Sequence, residues 1–314
     1  MDPRTLVDDA MELLVAPSFT RLGIAARRRL HGWEDLAALR MDGRTVAVTG
    51  ATSGIGLAAS RQLAGMGARL LLLVRDVERG ETERATLQGE NHAVVRCEMG
   101  DPSSVRAAAA RVRQLAPSLD VLIHNAGALL PEYRESVGGH EVTFAVMVLG
   151  PQLLTRELLP LLSEGSRILW MSSGGMYTQR LDVDQLEMGP DGYRGSLAYA
   201  RAKRAQVALA QAWARRLRDR GIVVHAMHPG WVDTPGIREG LPAFRALMDP
   251  FLRDPDQGAD TLVWLAAADE PGRSTGRFWL DRRPRTIERI PGSAGDVRER
   301  DRLWDLVERL TTGG

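Results

Sequence analysis

The sequence predicts an α/β protein built on a single doubly wound parallel sheet of about seven strands, with helices on both faces. Two observations carry this. From Arg44 onward, short continuous apolar runs alternate with helical stretches, which is the pattern of strands buried on both sides. A glycine-rich turn also stands between the first apolar run and the first helical stretch. With 314 residues, 44% of them hydrophobic, the chain is long enough to bury one large core.

In chain order, Thr45–Thr49 reads as the first strand and 57–66 as the helix after its turn. Residues 69–74, 93–97 and 121–124 read as the next three strands, with a helix over 102–115. A long helix is expected over 141–162, a fifth strand over 167–171, and a helix over 196–220. Residues 222–227 and the weaker run 277–280 complete the sheet. The organisation expected is an N-terminal helical extension (1–40), the α/β sheet domain (41–282) and a C-terminal tail (283–314). A helix near 300–310 is expected in that tail.

Composition excludes several classes of function. A formal net charge of +1 gives no field that would hold nucleic acid. One cysteine, Cys97, rules out an internal disulfide framework and fits a reducing compartment. The six histidines show no metal-ligand spacing, so no metal is expected. The N-terminus lacks the order of a signal peptide, and no apolar run approaches a membrane span, so a soluble cytoplasmic protein is expected. Residues 19–33 form a basic, partly apolar stretch. Its alternatives are peripheral membrane contact and packing on the protein body, with packing favoured.

The basic residues are nearly all of one kind: one of the 41 is lysine, Lys203, and the other 40 are arginine. Lysine is a compact charge with a tunable pKa, which the always-protonated arginine fork is not. In the helix expected there, an i,i+4 spacing stacks Tyr199 and Lys203 on one face. An ammonium beside a phenol favours the phenolate and suits acid–base chemistry.

The turn Thr49-Gly50-Ala51-Thr52-Ser53-Gly54-Ile55-Gly56 follows a strand and opens a helix, where a dinucleotide pyrophosphate is bound in Rossmann-type sheets. With the Tyr199/Lys203 pair, it resembles the short-chain dehydrogenase/reductase family. His124-Asn125-Ala126-Gly127, Ser172-Ser173 and His228-Pro229-Gly230-Trp231-Val232-Asp233-Thr234 resemble further family motifs, in family order, so that the likeness runs from about Asp42 to Leu280. It implies an NAD(P)(H)-dependent oxidoreductase that moves a hydride between nicotinamide and a carbonyl or alcohol. Tyr199 would be the general acid or base, Ser173 would hydrogen-bond the substrate oxygen, and Lys203 would hold the ribose and lower the Tyr199 pKa. Gly50, Thr52, Ser53, Gly54, Ile55, Gly56, Asn125, Ala126, Gly127, Pro229, Gly230, Val232 and Thr234 would line the cofactor site. Ser172 is the rival of Ser173, and Tyr177 and Tyr193 are the phenolic rivals, neither with a lysine four residues on.

Cofactor choice turns on the end of the second strand. Val74 stands where NAD-preferring relatives place an acid, and Arg75 follows, able to fork onto a 2′-phosphate. NADP(H) is therefore expected over NAD, with Arg79 as a second contact and Asp76 as the argument for NAD. Met147 departs from the resemblance, because the family has an asparagine there that anchors a proton-relay water. A thioether cannot replace that amide. A second reading is thus an NADP-binding protein of this fold with weak or no catalysis, acting as a regulator or scaffold. Ser173 and Tyr199 are 26 positions apart, about double the common family spacing, so an inserted loop (176–194) is expected to rim the site. The resemblance implies a substrate lid over residues 235–256, which here carries Leu241, Phe244, Leu247, Met248, Phe251 and Leu252 and so points to a lipophilic small-molecule substrate. Many relatives pair through helices flanking the sheet, so a homodimer is expected, although the arginines around 209–217 weigh against it.

Overall fold

A computed structural model describes residues 3–312. The strands are β1 (Thr45–Thr49), β2 (Arg69–Val74), β3 (Ala93–Arg96), β4 (Val121–His124), β5 (Arg167–Met171), β6 (Val223–Met227), β7 (Phe278–Leu280) and β8 (Arg283–Arg285). They form one sheet in the order β3-β2-β1-β4-β5-β6-β7-β8. Neighbours are parallel except β7 and β8, which pair antiparallel. The chain builds outward from β1 to β3, then returns to start again at β4 on the other side. The crevice at that reversal opens at the C-terminal ends of β1 and β4, where ligands bind in sheets of this kind.

The helices are α1 (Pro3–Leu13), α2 (Val15–Phe19), α3 (Arg21–His31), α4 (Gly54–Gly65), α5 (Val77–Arg84), α6 (Pro102–Leu115) and α7 (Val142–Phe144). They continue as α8 (Gly150–Leu158), α9 (Gly195–Arg216), α10 (Pro235–Gly240), α11 (Pro242–Met248), α12 (Pro255–Ala267), α13 (Asp269–Gly272) and α14 (Val297–Thr312). Alternating strand residues feed two cores, as a pleated sheet covered on both faces requires. Leu71, Leu73, Leu122, Ile168, Trp170 and Val224 pack with α6, α8, α9 and α14. Val46, Val48, Leu70, Leu72, Ile123 and Leu169 pack with α4 and α12. Each such fully buried aliphatic side chain contributes about 1.5–3 kcal/mol.

Two elements differ from expectation. The long helix over 141–162 is broken into α7, a π-turn at Ala145–Leu149, α8 and a 3-10 turn at Leu159–Leu161. Pro151 has no N–H to give the carbonyl four residues earlier, which is that of Met147. The Gln206 amide on α9 supplies that donor instead, at 2.8 Å. This broken stretch, Val142–Leu161, is also long and apolar enough to span a bilayer, contrary to expectation, but it is mostly buried in the core. Finally, Arg283–Arg285 joins the sheet as an eighth strand, so the division placed at 282/283 falls inside the β7–β8 hairpin.

Residues 19–33 pack on the protein body: Phe19, Ile24 and Arg27 are buried, while Leu22 faces outward. The Arg27 guanidinium donates to Asp8 (2.6 Å) and Asp281 (2.7 Å), joining α1 and α3 to the β7–β8 turn. At the other end, α14 covers α8 and α9. Trp304 stacks edge-on against Trp213 at 5.0 Å, and Gln152 donates to Glu308 at 2.7 Å.

Candidate active site

The glycine turn is locked to β4 before any ligand is considered. Asn125 donates from its amide to the carbonyls of Thr49 and Gly50, both at 3.1 Å. The backbone N–H groups of Asn125 and Ala126 both donate to the Thr49 hydroxyl at 3.0 Å. Gly50 has φ +67, and a Cβ on Gly56 would fall 2.3 Å from the Asn125 amide, so neither position admits a side chain. Ser53 stands at the N-cap of α4 without capping it. The first N–H groups of that 12-residue helix thus face the crevice without a side-chain partner, as an incoming phosphate requires.

From this turn a cleft of about 690 Å³ runs between Arg75 and Glu98 at one end and Ser173, Tyr199 and Lys203 at the other. Gly50, Thr52, Ser53, Gly54, Ile55, Asn125, Ala126, Gly127, Pro229, Gly230, Val232 and Thr234 line it, as the sequence predicts. Of the expected cofactor residues, only Gly56 lies behind the wall. At the mouth, the Arg75 side chain is largely exposed and only loosely paired, 3.9 Å from Glu98. The Asp76 carboxylate is already committed, accepting the Arg79 N–H at 3.0 Å to cap α5. The expected fit of a nicotinamide dinucleotide thus rests on the open helix end, the length of the cleft and the exposed, loosely paired Arg75. In it, Thr52, Ser53 and the α4 terminus would hold the phosphates and Pro229–Thr234 the nicotinamide end.

At the inner end, α9 carries Tyr199 and Lys203 to β5. The two rival serines, just past the end of β5, direct their hydroxyls differently. The Ser172 hydroxyl turns away and donates to the Lys203 carbonyl at 2.9 Å, whereas Ser173 lines the cleft with Tyr199, its hydroxyl accepting the Gly175 N–H at 3.2 Å. The phenolic rivals are engaged elsewhere: Tyr177 donates to the Thr286 carbonyl at 2.7 Å and Tyr193 to Glu141 at 2.9 Å. Burial pushes both of those phenols up to about 12.

Lys203 Nζ lies 5.4 Å from the Tyr199 ring centre and donates to the Met171 carbonyl at 2.6 Å. Burial lowers its pKa to about 7. The expected lowering of the Tyr199 pKa is not found. Burial raises it, and the Ser173 hydrogen bond offsets this only in part.

Met147 is fully buried in the π-turn. Beside it is a group that sequence reasoning did not find. The Gln206 amide nitrogen must face the Met147 carbonyl, which leaves its buried Oε1 without a protein partner. Its signal was Pro151, which orphans that carbonyl. His124, in the place of an asparagine, is held by Thr155 at 2.7 Å, and burial keeps it neutral with a pKa of about 3.

The rim is apolar. Leu129, Leu130, Val137, Trp231, Ile237 and Phe244 line the cleft, and Phe244 stacks edge-on against Trp231 at 5.2 Å. The segment expected to act as a lid, 235–256, comprises α10, α11, the turn Asp249–Phe251 and the start of α12, which Asp254 caps. Within it, Leu247 and Phe251 face solvent rather than the cleft.

Comparison with known proteins agrees with this arrangement. Residues 44–241 match the model of the family described as short chain dehydrogenase. Dehydrogenase/reductase SDR family member 12 of Bos taurus is 35% identical over 303 residues, covering 93% of each chain. Retinol dehydrogenase 11 of Homo sapiens is 32% identical over 288 residues, covering 89% of each. A crystal structure of an uncharacterised protein from Mycobacterium paratuberculosis superposes with a TM-score of 0.72 at 30% identity, over 88% of this chain and 97% of that one. The chain belongs to the short-chain dehydrogenase/reductase family.

Proposed function

We propose that the protein is an NADP(H)-dependent oxidoreductase that interconverts a lipophilic ketone or aldehyde and its alcohol. The observation that carries this reading is the convergence of Ser173, Tyr199 and the lone Lys203 at the closed end of a cleft whose other end is a helix N-terminus. When bound, the reduced nicotinamide supplies the hydride. The protein's part is to hold the carbonyl oxygen between the Ser173 hydroxyl and the Tyr199 phenol. As negative charge develops on that oxygen, Ser173 stabilises it by hydrogen bonding and Tyr199 gives it a proton. A raised pKa keeps Tyr199 protonated at neutral pH, the form that reduction needs. Lys203, poised near 7, then returns the proton, and in alcohol oxidation the transfers reverse.

Arg75 supports NADP(H), since it is exposed and only loosely paired at the mouth while Asp76 caps a helix. An apolar rim supports a lipophilic substrate, as does likeness to a protein named for retinol. The face that α8 and α9 would offer to a second copy is covered by α14, so pairing through it would require that helix to leave. Met147 favours a second reading, nucleotide binding without turnover. A panel of ketones and aldehydes tested with NADPH and NADH decides. The proposal expects turnover that is faster with NADPH, and Arg75→Glu is expected to reverse the preference. Nucleotide binding without turnover on any carbonyl would favour the second reading.

A further inference from the structure

We infer that Phe19, in the N-terminal extension, is a positioning residue: a wedge that sets the Ser173 loop and the Pro229–Val232 loop relative to one another. This rests on the proposed oxidoreductase reading and extends the working site to a segment outside the nucleotide-binding sheet.

Phe19 is 2% exposed and sits between the two loops. Its ring is so close to Gly174, the residue after Ser173, that a Cβ there would lie 2.7 Å from Phe19 Cε2. On the other side the ring meets His228 edge-on at 4.5 Å and Trp231 at 5.8 Å. Its carbonyl accepts the Trp231 N–H at 2.8 Å, and Trp231 lines the cleft. One residue thus touches both the strand end that presents the candidate catalytic serine and the loop expected to cover the nicotinamide.

The wedge is held from behind by Arg253, whose five N–H donors are all in use. The guanidinium donates to the Ser18 carbonyl (3.1 Å), the Thr20 carbonyl (3.2 Å), the Pro229 carbonyl (3.0 Å) and both oxygens of Asp281 (2.6 and 2.9 Å). The carbonyls of residues 18, 19 and 20 therefore all accept from the catalytic domain. The Arg253 backbone also brackets the lid, donating to the Trp231 carbonyl (2.8 Å) and accepting the Asp233 N–H (2.9 Å). Ordering residues 18–20 costs backbone entropy, and here that order is spent against two active-site loops rather than against solvent. Packed side chains of this kind transmit displacement, because a close-packed interior has no slack to absorb it.

The test is a double-mutant cycle of Gly174→Ala and Phe19→Leu, read as kcat per folded molecule, as NADPH affinity by Trp231 quenching, and as Tm. Gly174 has no left-handed φ, and the three atoms nearest the added methyl all belong to the Phe19 ring. Gly174→Ala alone is expected to lower kcat about ten-fold and weaken NADPH about three-fold, the scale of a sub-ångström misplacement. Added to Phe19→Leu, which vacates the far end of the ring, the same methyl is expected to cost less than about two-fold in either. Independent effects on kcat and affinity, or a loss of Tm alone, would overturn the inference. If Gly174→Ala does not fold, Phe19→Leu alone must lower kcat per folded molecule, and an unchanged kcat overturns it. If the wild type turns over no carbonyl, the proposed function fails, and the wedge is then judged by the coupling in NADPH affinity.

Discussion

Lys203 is the residue on which the site's electrostatics turn, and it is the sole lysine of the chain. Burial lowers its pKa to about 7, so the ammonium and the free amine are both accessible near neutrality. The sign of its effect on stability follows. Between about 7 and the usual lysine value, the unfolded chain binds the proton that the folded one has released, so this residue makes stability rise with pH. A protein labelled at lysine Cε should give one side-chain NMR resonance that titrates near pH 7. A midpoint near the usual lysine range would contradict the burial argument. The Tyr199–Lys203 pair was legible in the sequence because i,i+4 spacing is a local property. The direction of the Tyr199 shift was not, because it depends on how deeply β5 and α9 bury the phenol.

At the scale of elements, the seven expected strands stand within one residue of where their apolar runs place them, since a buried parallel strand is continuous in sequence. β8 was invisible because Arg283-Pro284-Arg285 carries neither alternation nor apolar content, and proline belongs to edge strands. The π-turn was hidden because its cause, Pro151, acts on a carbonyl four residues away and its remedy, Gln206, lies on another helix. That remedy is testable. Gln206→Leu removes the donor from the buried Met147 carbonyl and is expected to cost about 1–3 kcal/mol in urea unfolding. An unchanged midpoint would mean the carbonyl is satisfied by other means. Likewise, Leu303 is buried where α14 meets the core, and Leu303→Ala is expected to cost about 2–5 kcal/mol. A loss well below this would show that α14 is only loosely docked.

Across the whole molecule, arginine at buried positions is what the sequence hid. Arg27, Arg204 and Arg253 are among the largest fully buried side chains, and arginine in a sequence reads as surface. Arg27 and Arg253 meet at Asp281, which lies in the turn between β7 and β8 and ties α3 to the sheet. Burial pushes the Asp281 pKa up, but the two guanidinium forks outweigh it and hold the carboxylate below its usual range. Its stabilisation is therefore full above the ordinary carboxylate pKa and is lost only as pH falls below it. Asp281→Asn leaves two buried guanidinium groups undercompensated and is expected to cost about 3–5 kcal/mol. Limited proteolysis should then cut near residue 20 first. Cleavage elsewhere, at unchanged stability, would show that the extension is held by other contacts.

The account as a whole rests on Tyr199 acting as the proton donor to a carbonyl held beside reduced nicotinamide. The most direct measurement follows the loss of reduced-nicotinamide absorbance over a panel of lipophilic ketones and aldehydes, for the wild type and Tyr199→Phe, with NADPH affinity recorded for both. The account predicts turnover by the wild type, and in Tyr199→Phe an NADPH affinity within about three-fold together with a rate lower by at least about 100-fold. A Tyr199→Phe protein that turns over at the wild-type rate would contradict it.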